Sequence, residues 1–340
     1  MRDAERNRNI VVVGASAGGV EALRELLRHL PADLAAPVLV VLHIPAYEPS
    51  RLDRILASAT SLKVVAAKDG QLLEPGMVYV ASADRHLMVE SGMARLTRGP
   101  KECRVRPAID VLFRSAALAY GAGAIGVVLS GMLDDGTAGL WAIKDQGGLA
   151  LVQQPSEAMH SSMPESAIKH VEVDFAGPLG AVAEKIIEAL EQTRPRQPAP
   201  GFAARYATEV RIAGEGNGLQ AGVMDLGKVS KYTCPDCHGV LVQMEEGPIV
   251  RFRCHTGHAF SLKTLIAEVN ASIDTGLWDA VRAVEERVML LRQMGDLAQV
   301  SGDAAETQRC RRDADDAEKR LQPLRELVLD PTFFGRDPAG

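Results

Sequence analysis

The sequence predicts an α/β protein with a doubly wound, mainly parallel sheet, followed by a small zinc ribbon and an α-helical hairpin. Short apolar runs alternate with amphipathic stretches over residues 10–192, a pattern typical of parallel strands joined by crossover helices. Cysteine and histidine residues cluster at residues 234–258, and residues near the C-terminus follow a heptad-like spacing. Because the chain has 340 residues, 46% of them hydrophobic, we expect two or three domains.

Predicted strands and helices alternate regularly along residues 10–192. Five apolar runs predict buried strands at residues 10–13, 38–42, 63–67, 125–129 and 149–152. Four amphipathic stretches predict helices around residues 23–30, 52–59, 109–116 and 182–190. Shorter runs at residues 77–81 and 87–90 predict the strands of a hairpin.

Proline content predicts where the first domain ends. The stretch at residues 193–204 contains three prolines and no hydrophobic periodicity, which is typical of a semi-rigid connector. The predicted organisation is an N-terminal tail (1–9), a catalytic domain (10–192), a linker (193–230), a zinc-ribbon-like module (231–260), a helical hairpin or coiled coil (261–330) and a C-terminal tail (331–340).

The last predicted element is a pair of helices. Its second half has a heptad-like seam formed by Cys310, Ala314, Ala317, Leu321, Leu324 and Val328. This spacing predicts a helical hairpin or a dimerising helix pair. Pro323 lies inside the seam, so we expect a kink or an early helix end there.

Charge and cysteine content restrict the class of protein. The net charge is −6 with both signs interspersed, which argues against binding of nucleic acid or of an anionic membrane. Residues 1–9 lack an apolar segment, and no later stretch is apolar enough to cross a bilayer, so we expect a cytoplasmic protein without direct membrane insertion. Five cysteines, three of them in one short window, favour metal binding over disulfides.

The segment from Gly14 to Gly18 matches the G-x-S-x-G pattern of a nucleophile elbow, with Ser16 at its centre. It lies directly after a predicted strand and before a predicted helix, where the small neighbours permit a sharp turn. Backbone N–H groups at the helix N-terminus would then lie close to a developing oxyanion. The same turn is also compatible with a phosphate- or nucleotide-binding regulatory module, although it lacks the G-x-G-x-x-G pattern and the P-loop lysine.

Two further strand ends hold candidate partners for Ser16. His43 follows the strand at residues 38–42, and because open α/β sheets form their sites at the carboxyl ends of strands, we expect it on the same edge as Ser16. Asp134 and Asp135 follow the strand at residues 125–129, and a carboxylate there could orient an imidazole. Either aspartate is equally suited to a helix cap or a turn, and the spacing leaves the choice between them open.

Six ordered blocks up to about residue 190 resemble the catalytic domain of chemotaxis protein-glutamate methylesterases: VVVGASAGGVEAL, LHIP, ADRH, RPAIDVLF, VLSGMLDDGTAGL and SSMPESAI. The resemblance implies a serine hydrolase that removes methyl esters from glutamyl residues of chemoreceptor cytoplasmic helices and releases methanol. It also implies deamidation of receptor glutamines as a second activity. The first strand begins at residue 10, so the resemblance is to a stand-alone form without a receiver domain. A catalytically inert adaptor in a chemosensory pathway is the alternative.

The resemblance also assigns roles to individual residues. It places the nucleophile at Ser16, the base at His43 and the orienting carboxylate at Asp135, because the family's aspartate immediately precedes the glycine. Met132 aligns with a backbone N–H donor of the oxyanion hole. Ala17 stands where the best-known members have threonine, so only its backbone amide remains available to the oxyanion.

A second set of residues has the spacing of a zinc site. Cys234, Cys237, Cys254 and His258 form C-x2-C, sixteen intervening residues and C-x3-H, which predicts a closed, structural tetrahedral zinc site. His255 and His238 compete with His258 as the fourth ligand. The region resembles the zinc-ribbon-like extension of some stand-alone relatives of the methylesterases. We expect no cofactor for catalysis, and esterase chemistry that does not need residues 205–340.

Basic residues concentrate in one loop ahead of the third predicted helix: Arg95, Arg98, Lys101, Arg104 and Arg106. The loop is either a solvated surface or a docking site for an acidic receptor helix, with Arg104 and Arg106 as the docking residues. The C-terminal helices are the expected site for a signalling-protein partner or for self-association.

Overall fold

The computed structural model describes residues 9–45, 50–192, 203–330 and 332–333. It divides into two compact units, one that ends at Leu265 and one that begins at Ile266. Most of the two predicted tails, and the proline-rich part of the predicted linker, lie outside the described residues. Within the described ranges, no helix combines the length and the apolar character needed to span a membrane.

The elements alternate as an α/β pattern requires. The strands are β1 (Ile10–Ala15), β2 (Val38–Leu42), β3 (Lys63–Ala66), β4 (Gln71–Leu72), β5 (Met77–Val80), β6 (His86–Glu90), β7 (Met93–Thr97), β8 (Ala124–Val128), β9 (Leu149–Gln153), β10 (Phe175–Gly177), β11 (Lys228–Thr233), β12 (Val240–Glu246), β13 (Ile249–Cys254) and β14 (Ala259–Ser261). The helices are α1 (Gly19–Arg28), α2 (Leu52–Ala57), α3 (Ile109–Tyr120), α4 (Thr137–Asp145), α5 (Ser162–His170), α6 (Leu179–Glu191), α7 (Ala203–Glu215), α8 (Leu262–Val300) and α9 (Ala304–Leu329).

A seven-stranded parallel sheet forms the centre of the first unit, in the order β10-β9-β8-β1-β2-β5-β3. Alternate residues of β1 point to opposite faces: Ile10 and Val12 pack in one core layer, and Val11 and Val13 pack in the other. Helices cover both layers, so the strands are apolar on both sides. The predicted doubly wound, mainly parallel fold is confirmed.

The predicted hairpin at residues 77–90 is wrong for its first strand. Met77–Val80 lies inside the main sheet, paired in parallel with both β2 and β3. All four of its residues are buried, which is what a strand covered on both faces requires, whereas a hairpin strand with one solvated face would alternate. The second strand, β6, pairs with β7 in a separate small antiparallel sheet.

The range predicted as a linker contains a helix, α7. Its Tyr206 is buried in the core of the first domain, and the Thr97 hydroxyl donates a hydrogen bond to the Ala213 carbonyl at 2.7 Å. The buried face of α7 also contains Glu209, which is fully buried. A charged residue on the inner face weakens the apolar periodicity, so the pattern did not predict this helix.

The ribbon is a four-stranded antiparallel sheet in the order β11-β12-β13-β14. Its core contains Leu241, Phe252 and Phe260. Backbone hydrogen bonds join its last strand to the loop before α3: Cys103 N–H donates to Ala259 O at 2.7 Å, and Ala259 N–H donates to Lys101 O at 3.2 Å. The ribbon is therefore part of the same unit as the main sheet.

Helices α8 and α9 form the predicted antiparallel hairpin. Arg292 pairs with Glu318 at 2.6 Å and Arg325 pairs with Glu285 at 2.5 Å, as an antiparallel arrangement requires. The predicted seam is buried at four positions, Cys310, Ala314, Ala317 and Leu321. Helix α9 does not end early, because it continues past Pro323 to Leu329. The proline removes only one backbone donor, and the ion pair of Arg325 holds the next turn against α8.

Candidate active site

The three residues singled out at strand ends come together at the point where the strand order reverses. Strand β1 lies between β8 and β2; Ser16 follows β1, His43 follows β2 and Asp135 follows β8. Parallel strands present their carboxyl ends at one edge of the sheet, and the reversal opens a crevice there. The topology therefore places one hydroxyl, one imidazole and one carboxylate in the same crevice.

Ser16 lies in a tight turn between the last residue of β1 and the first residue of α1. Its backbone N–H donates to Ser130 O at 2.9 Å, which ties the turn to the loop after β8. The turn needs glycine at position 18, where φ is 72° and a Cβ would lie 2.6 Å from the Cβ of Met159. The sequence pattern thus forms the sharp strand-to-helix turn that exposes the Ser16 hydroxyl.

His43 connects Ser16 to Asp135. Its Nδ1 lies 3.1 Å from Ser16 Oγ, and its Nε2 lies 2.8 Å from Asp135 Oδ2. An ionised carboxylate can only accept, so Nε2 carries the proton and Nδ1 presents its lone pair to the serine hydroxyl. The His43 side chain is 16% exposed and that of Asp135 only 4%, so the carboxylate is shielded while the imidazole reaches the crevice. This is the arrangement in which an imidazole can remove the hydroxyl proton.

Helix α3 holds the Asp135 carboxylate in place. Ile109 N–H donates to Oδ2 at 2.8 Å and Asp110 N–H donates to Oδ1 at 3.1 Å. These are N–H groups of the first helical turn, and the N-cap residue, Ala108, provides no side-chain cap. Asp135 therefore caps α3 from a distant loop, at the positive end of the helix dipole.

Asp110 caps the next helix in the same way, a role that the sequence did not predict. Its Oδ1 accepts hydrogen bonds from Gly136 N at 3.0 Å and from Gly139 N at 2.6 Å, at the start of α4. Burial and the neighbouring Asp135 carboxylate raise the pKa of Asp110. The two aspartates thus cross-link the N-termini of two helices beside the site. Asp110 belongs to the RPAIDVLF block of the family resemblance, which is the feature of the sequence that could have indicated its role.

Asp134, the other candidate carboxylate, points elsewhere. Its Oδ1 accepts a hydrogen bond from Ser261 Oγ at 2.7 Å, at the end of the ribbon. Burial raises the pKa of Asp134, although the bond from Ser261 acts in the opposite direction. Of the two aspartates, the structure brings Asp135 to His43 and Asp134 to Ser261.

The two proposed oxyanion donors flank the serine. A Cβ at Gly131 would lie 2.9 Å from the Cβ of Ser16, so the backbone just before Met132 runs against the nucleophile. Among the described residues, neither the Ala17 N–H nor the Met132 N–H has a hydrogen-bond acceptor. Ala17 O, in contrast, accepts a bond from Ser130 Oγ at 2.8 Å, which holds the Ala17–Gly18 peptide directly after the proposed donor. The two N–H groups are suited to bind a developing negative charge.

Arginines of the basic loop form ion pairs with acidic neighbours, which the sequence did not predict. Arg106 donates to Asp84 Oδ1 at 2.9 Å and 2.6 Å through two nitrogens, and Arg98 pairs with the same carboxylate. These pairs lower the pKa of Asp84. Arg104 lies 3.8 Å from Asp236 of the ribbon, with its side chain 52% exposed. Of the two predicted docking residues, only Arg104 presents a substantial surface to solvent.

The predicted metal ligands converge in the ribbon. The ligand atoms of Cys234, Cys237, Cys254 and His258 all lie within 4.8 Å of one another. Cys237 Sγ and Cys254 Sγ are 3.6 Å apart, and His258 Nδ1 lies 3.7 Å from Cys234 Sγ. A tetrahedral zinc site with Zn–S bonds of about 2.3 Å places its sulfur atoms roughly 3.8 Å apart. The cluster therefore has the donors and the spacing to bind a metal ion.

Known proteins are similar to the first half of this chain. Residues 11–186 match the family model described as CheB methylesterase. A Leptospira interrogans protein described as a protein-glutamate methylesterase/protein-glutamine glutaminase is 38% identical over 182 residues, which are 53% of this chain and 94% of that protein. A Myxococcus xanthus protein with the same description is 41% identical over 163 residues, 47% of each chain, so this chain spans about half of its length.

A solved structure agrees with the sequence comparisons. The crystal structure of the Thermotoga maritima CheB methylesterase catalytic domain is similar with a TM-score of 0.51 and 35% sequence identity. The match covers 53% of this chain and 97% of that one. The similarity therefore concerns about half of this chain and nearly all of the solved catalytic domain.

Proposed function

The chain belongs to the CheB methylesterase family, and on that premise we propose that it is a hydrolase that removes methyl esters from glutamyl residues of chemoreceptor cytoplasmic helices. The observation that supports this most strongly is the continuous series from Ser16 Oγ through His43 to Asp135, with separations of 3.1 Å and 2.8 Å. An activated serine beside backbone N–H groups that donate to no described residue is suited to acyl transfer. The proposed product is methanol, released during chemosensory adaptation.

The proposed reaction follows from the positions of the three side chains. Ser16 Oγ attacks the glutamyl carbonyl carbon while His43 Nδ1 takes the hydroxyl proton, and the carbonyl oxygen becomes an oxyanion bound by the N–H groups of Ala17 and Met132. The imidazolium is stabilised by Asp135. When the tetrahedral intermediate collapses, the C–O bond to the methoxy group breaks and His43 donates its proton to form methanol.

A water molecule completes the cycle. His43, neutral again, removes a proton from water as the oxygen attacks the acyl carbon. The Ser16 ester bond then breaks, the proton on His43 returns to Ser16 Oγ, and a glutamic acid side chain is released, which loses its own proton to solvent. A glutamine side chain presented in the same way would release ammonia in place of methanol, so we propose deamidation as a second activity of the same residues.

The metal cluster fits a structural zinc ion held by Cys234, Cys237, Cys254 and His258. Three sulfurs and one nitrogen form a closed donor set that zinc favours, and a fourth protein ligand leaves no position for a reacting water. Zinc would supply fold stability to the ribbon and no step of the hydrolysis. His238 and His255 are not members of the cluster.

The helical hairpin is the proposed site for a further partner. Its first helix has large apolar side chains with about half or more of their surface exposed: Trp278, Met289, Leu290, Met294 and Leu297. Exposed apolar groups in this number are typical of a protein interface. We propose that this surface binds a signalling protein or a second copy of the chain. The molar mass of the purified protein in solution separates the two, because self-association doubles it.

The test of the proposed function is methanol release from membranes that contain methylated chemoreceptors. The wild-type protein should release methanol, and Ser16→Ala should not. Ser58→Ala, which changes an exposed serine outside the crevice, is the matched control and should behave as wild type. Equal methanol release by wild type and Ser16→Ala would reject the proposal.

A further inference from the structure

A cluster of buried charged side chains lies where the first domain, α7 and the ribbon meet. Every member is at most 4% exposed: Glu102, Asp110, Arg114, Glu209, Glu246, Arg251 and Arg253. The first three belong to the catalytic domain, Glu209 belongs to α7 and the remaining three belong to the ribbon. Charged groups are rarely buried in such numbers, because each must be paired to offset its loss of hydration.

Glu102 is the link between the ribbon and α3. One carboxylate oxygen accepts from Arg114 Nη2 and the other accepts from Arg253 Nη2 at 2.7 Å. Arg253 also bonds Glu209 at 2.8 Å and the Gly257 carbonyl at 2.8 Å. Burial alone would raise the pKa of Glu102, but Arg114 and Arg253 outweigh it and lower that pKa to about 2.

The cluster leads directly to the carboxylate that contacts His43. Arg114 lies one turn after Asp110 on α3, and its Nη1 is 3.8 Å from Asp110 Oδ2. The backbone N–H groups of Ile109 and Asp110, at the start of the same helix, hold Asp135. Displacement of the first turn of α3 would therefore displace Asp135.

The ribbon also contacts the loop after β8, which contains Asp135. Ser261, its last residue, donates to Asp134, the neighbour of Asp135. The loop after β8 is thus held from one side through Glu102 and α3, and from the other through Ser261. The ribbon is thus connected to two adjacent residues of the loop, to Asp135 through α3 and to Asp134 through Ser261.

We propose that Glu102, Arg114 and Arg253 are positioning residues for the esterase reaction, through which the ribbon fixes the first turn of α3 and thereby the Asp135 carboxylate. The inference rests on the proposed function, because it requires Asp135 to orient His43. None of the three side chains touches Ser16 or His43 among the contacts of the described residues. Their effect on turnover must therefore pass through Asp135.

The test uses the full chain and a small methyl ester. Glu102→Gln keeps the shape of the side chain and removes its charge. We expect kcat to fall about 10- to 100-fold, the scale of a misplaced catalytic group, with KM nearly unchanged, because Glu102 does not contact the substrate. Glu90→Gln, which neutralises an exposed glutamate paired with Arg95, is the matched control and should retain wild-type kcat.

A double-mutant cycle separates positioning from a general loss of stability. In an Asp135→Asn background the Glu102→Gln change should cost little further kcat, since the group through which it acts is already lost. A role confined to stability would lower the unfolding temperature without this dependence on Asp135. Glu102→Asp, which keeps the charge, should recover part of the activity.

A second variant covers the case in which Glu102→Gln does not fold. Arg253→Lys keeps the buried positive charge but loses the forked donor geometry of the guanidinium, so it should also lower kcat. Wild-type kcat in a folded Glu102→Gln or Arg253→Lys protein would overturn the inference, and so would an equal loss of kcat in the Asp135→Asn background. Failure of the proposed function is distinct, because it appears as hydrolysis that survives Ser16→Ala.

Discussion

His43 Nε2 lies 2.8 Å from Asp135 Oδ2, whereas the adjacent carboxylate of Asp134 is bonded to Ser261. Two neighbouring aspartates of one loop therefore face different partners. The spacing of the two residues left the choice between them open, because either one suits a turn beside a glycine, and only the family resemblance assigned Asp135. Their contacts give them different expected effects on turnover.

Asp135→Asn should cripple turnover while Asp134→Asn remains mild. An amide at position 135 favours the wrong imidazole tautomer, so kcat should fall by about 10⁴ with the fold intact. An amide oxygen at position 134 can still accept the bond from Ser261, and we expect a loss of less than about 10-fold. Steady-state kinetics on a methyl ester measure both, and an inactive Asp134→Asn beside an active Asp135→Asn would exchange their assignments.

Removal of the metal should unfold the ribbon and lower kcat. Elemental analysis should find about one zinc per chain, since binding and folding are coupled in such sites. The Gly247 turn of the ribbon lies against the ring of Trp141, because a Cβ at Gly247 would be 2.3 Å from it. Chelation should therefore change Trp141 fluorescence, measured in a Trp278→Phe background. Purified protein without metal, or unchanged fluorescence after metal removal, would contradict the zinc assignment.

Acid should remove the stability that Glu102 contributes. Its folded-state pKa of about 2 lies below the usual 4.5, so the contribution is complete above about pH 4.5 and is lost as the pH falls toward 2. At neutral pH the contribution is on the order of 3 kcal/mol. The difference in unfolding free energy between wild type and Glu102→Gln, from denaturant titrations, should shrink over this window. A difference independent of pH would show that the Glu102 charge has no such role.

Arg104 should affect a receptor substrate and leave a small ester unaffected. If it attracts an acidic receptor helix, Arg104→Gln should lower kcat/KM for receptor demethylation by less than about 10-fold and flatten its dependence on salt. Arg95→Gln, which lies in strand β7 before this loop and is paired with Asp69 and Glu90, is the control. Unchanged receptor kinetics at low salt would assign the loop to the solvated surface.

Much of the first domain follows from local sequence. The strand before Ser16 and the strand before His43 are continuous apolar runs of parallel-sheet type, and the glycine at position 18 marks the sharp turn between strand and helix. The ligand spacing of the ribbon predicted which side chains converge. Each of these features depends on residues close together in the chain.

Features set by distant contacts could not be predicted. Strand β5 was predicted as a hairpin strand because nothing local in its sequence indicates the two parallel neighbours, β2 and β3, with which it pairs. Glu209 made α7 look polar, because the arginines that neutralise it lie in the ribbon more than 40 residues later. The expectation that catalysis is independent of residues 205–340 likewise arose because contacts between distant parts of the chain cannot be seen in the sequence. The buried bonds from Arg253 to Glu102 and from Ser261 to Asp134 are physical reasons to expect dependence.

The central claim, that Ser16 and His43 act as one catalytic unit, is tested most directly by the kcat of Ser16→Ala, His43→Ala and the double variant on one methyl ester. Each single change should cost roughly four to six orders of magnitude, and the double variant should be no worse than either, because removal of one member already disables the unit. Near-normal hydrolysis by Ser16→Ala, or losses that multiply in the double variant, would contradict the claim.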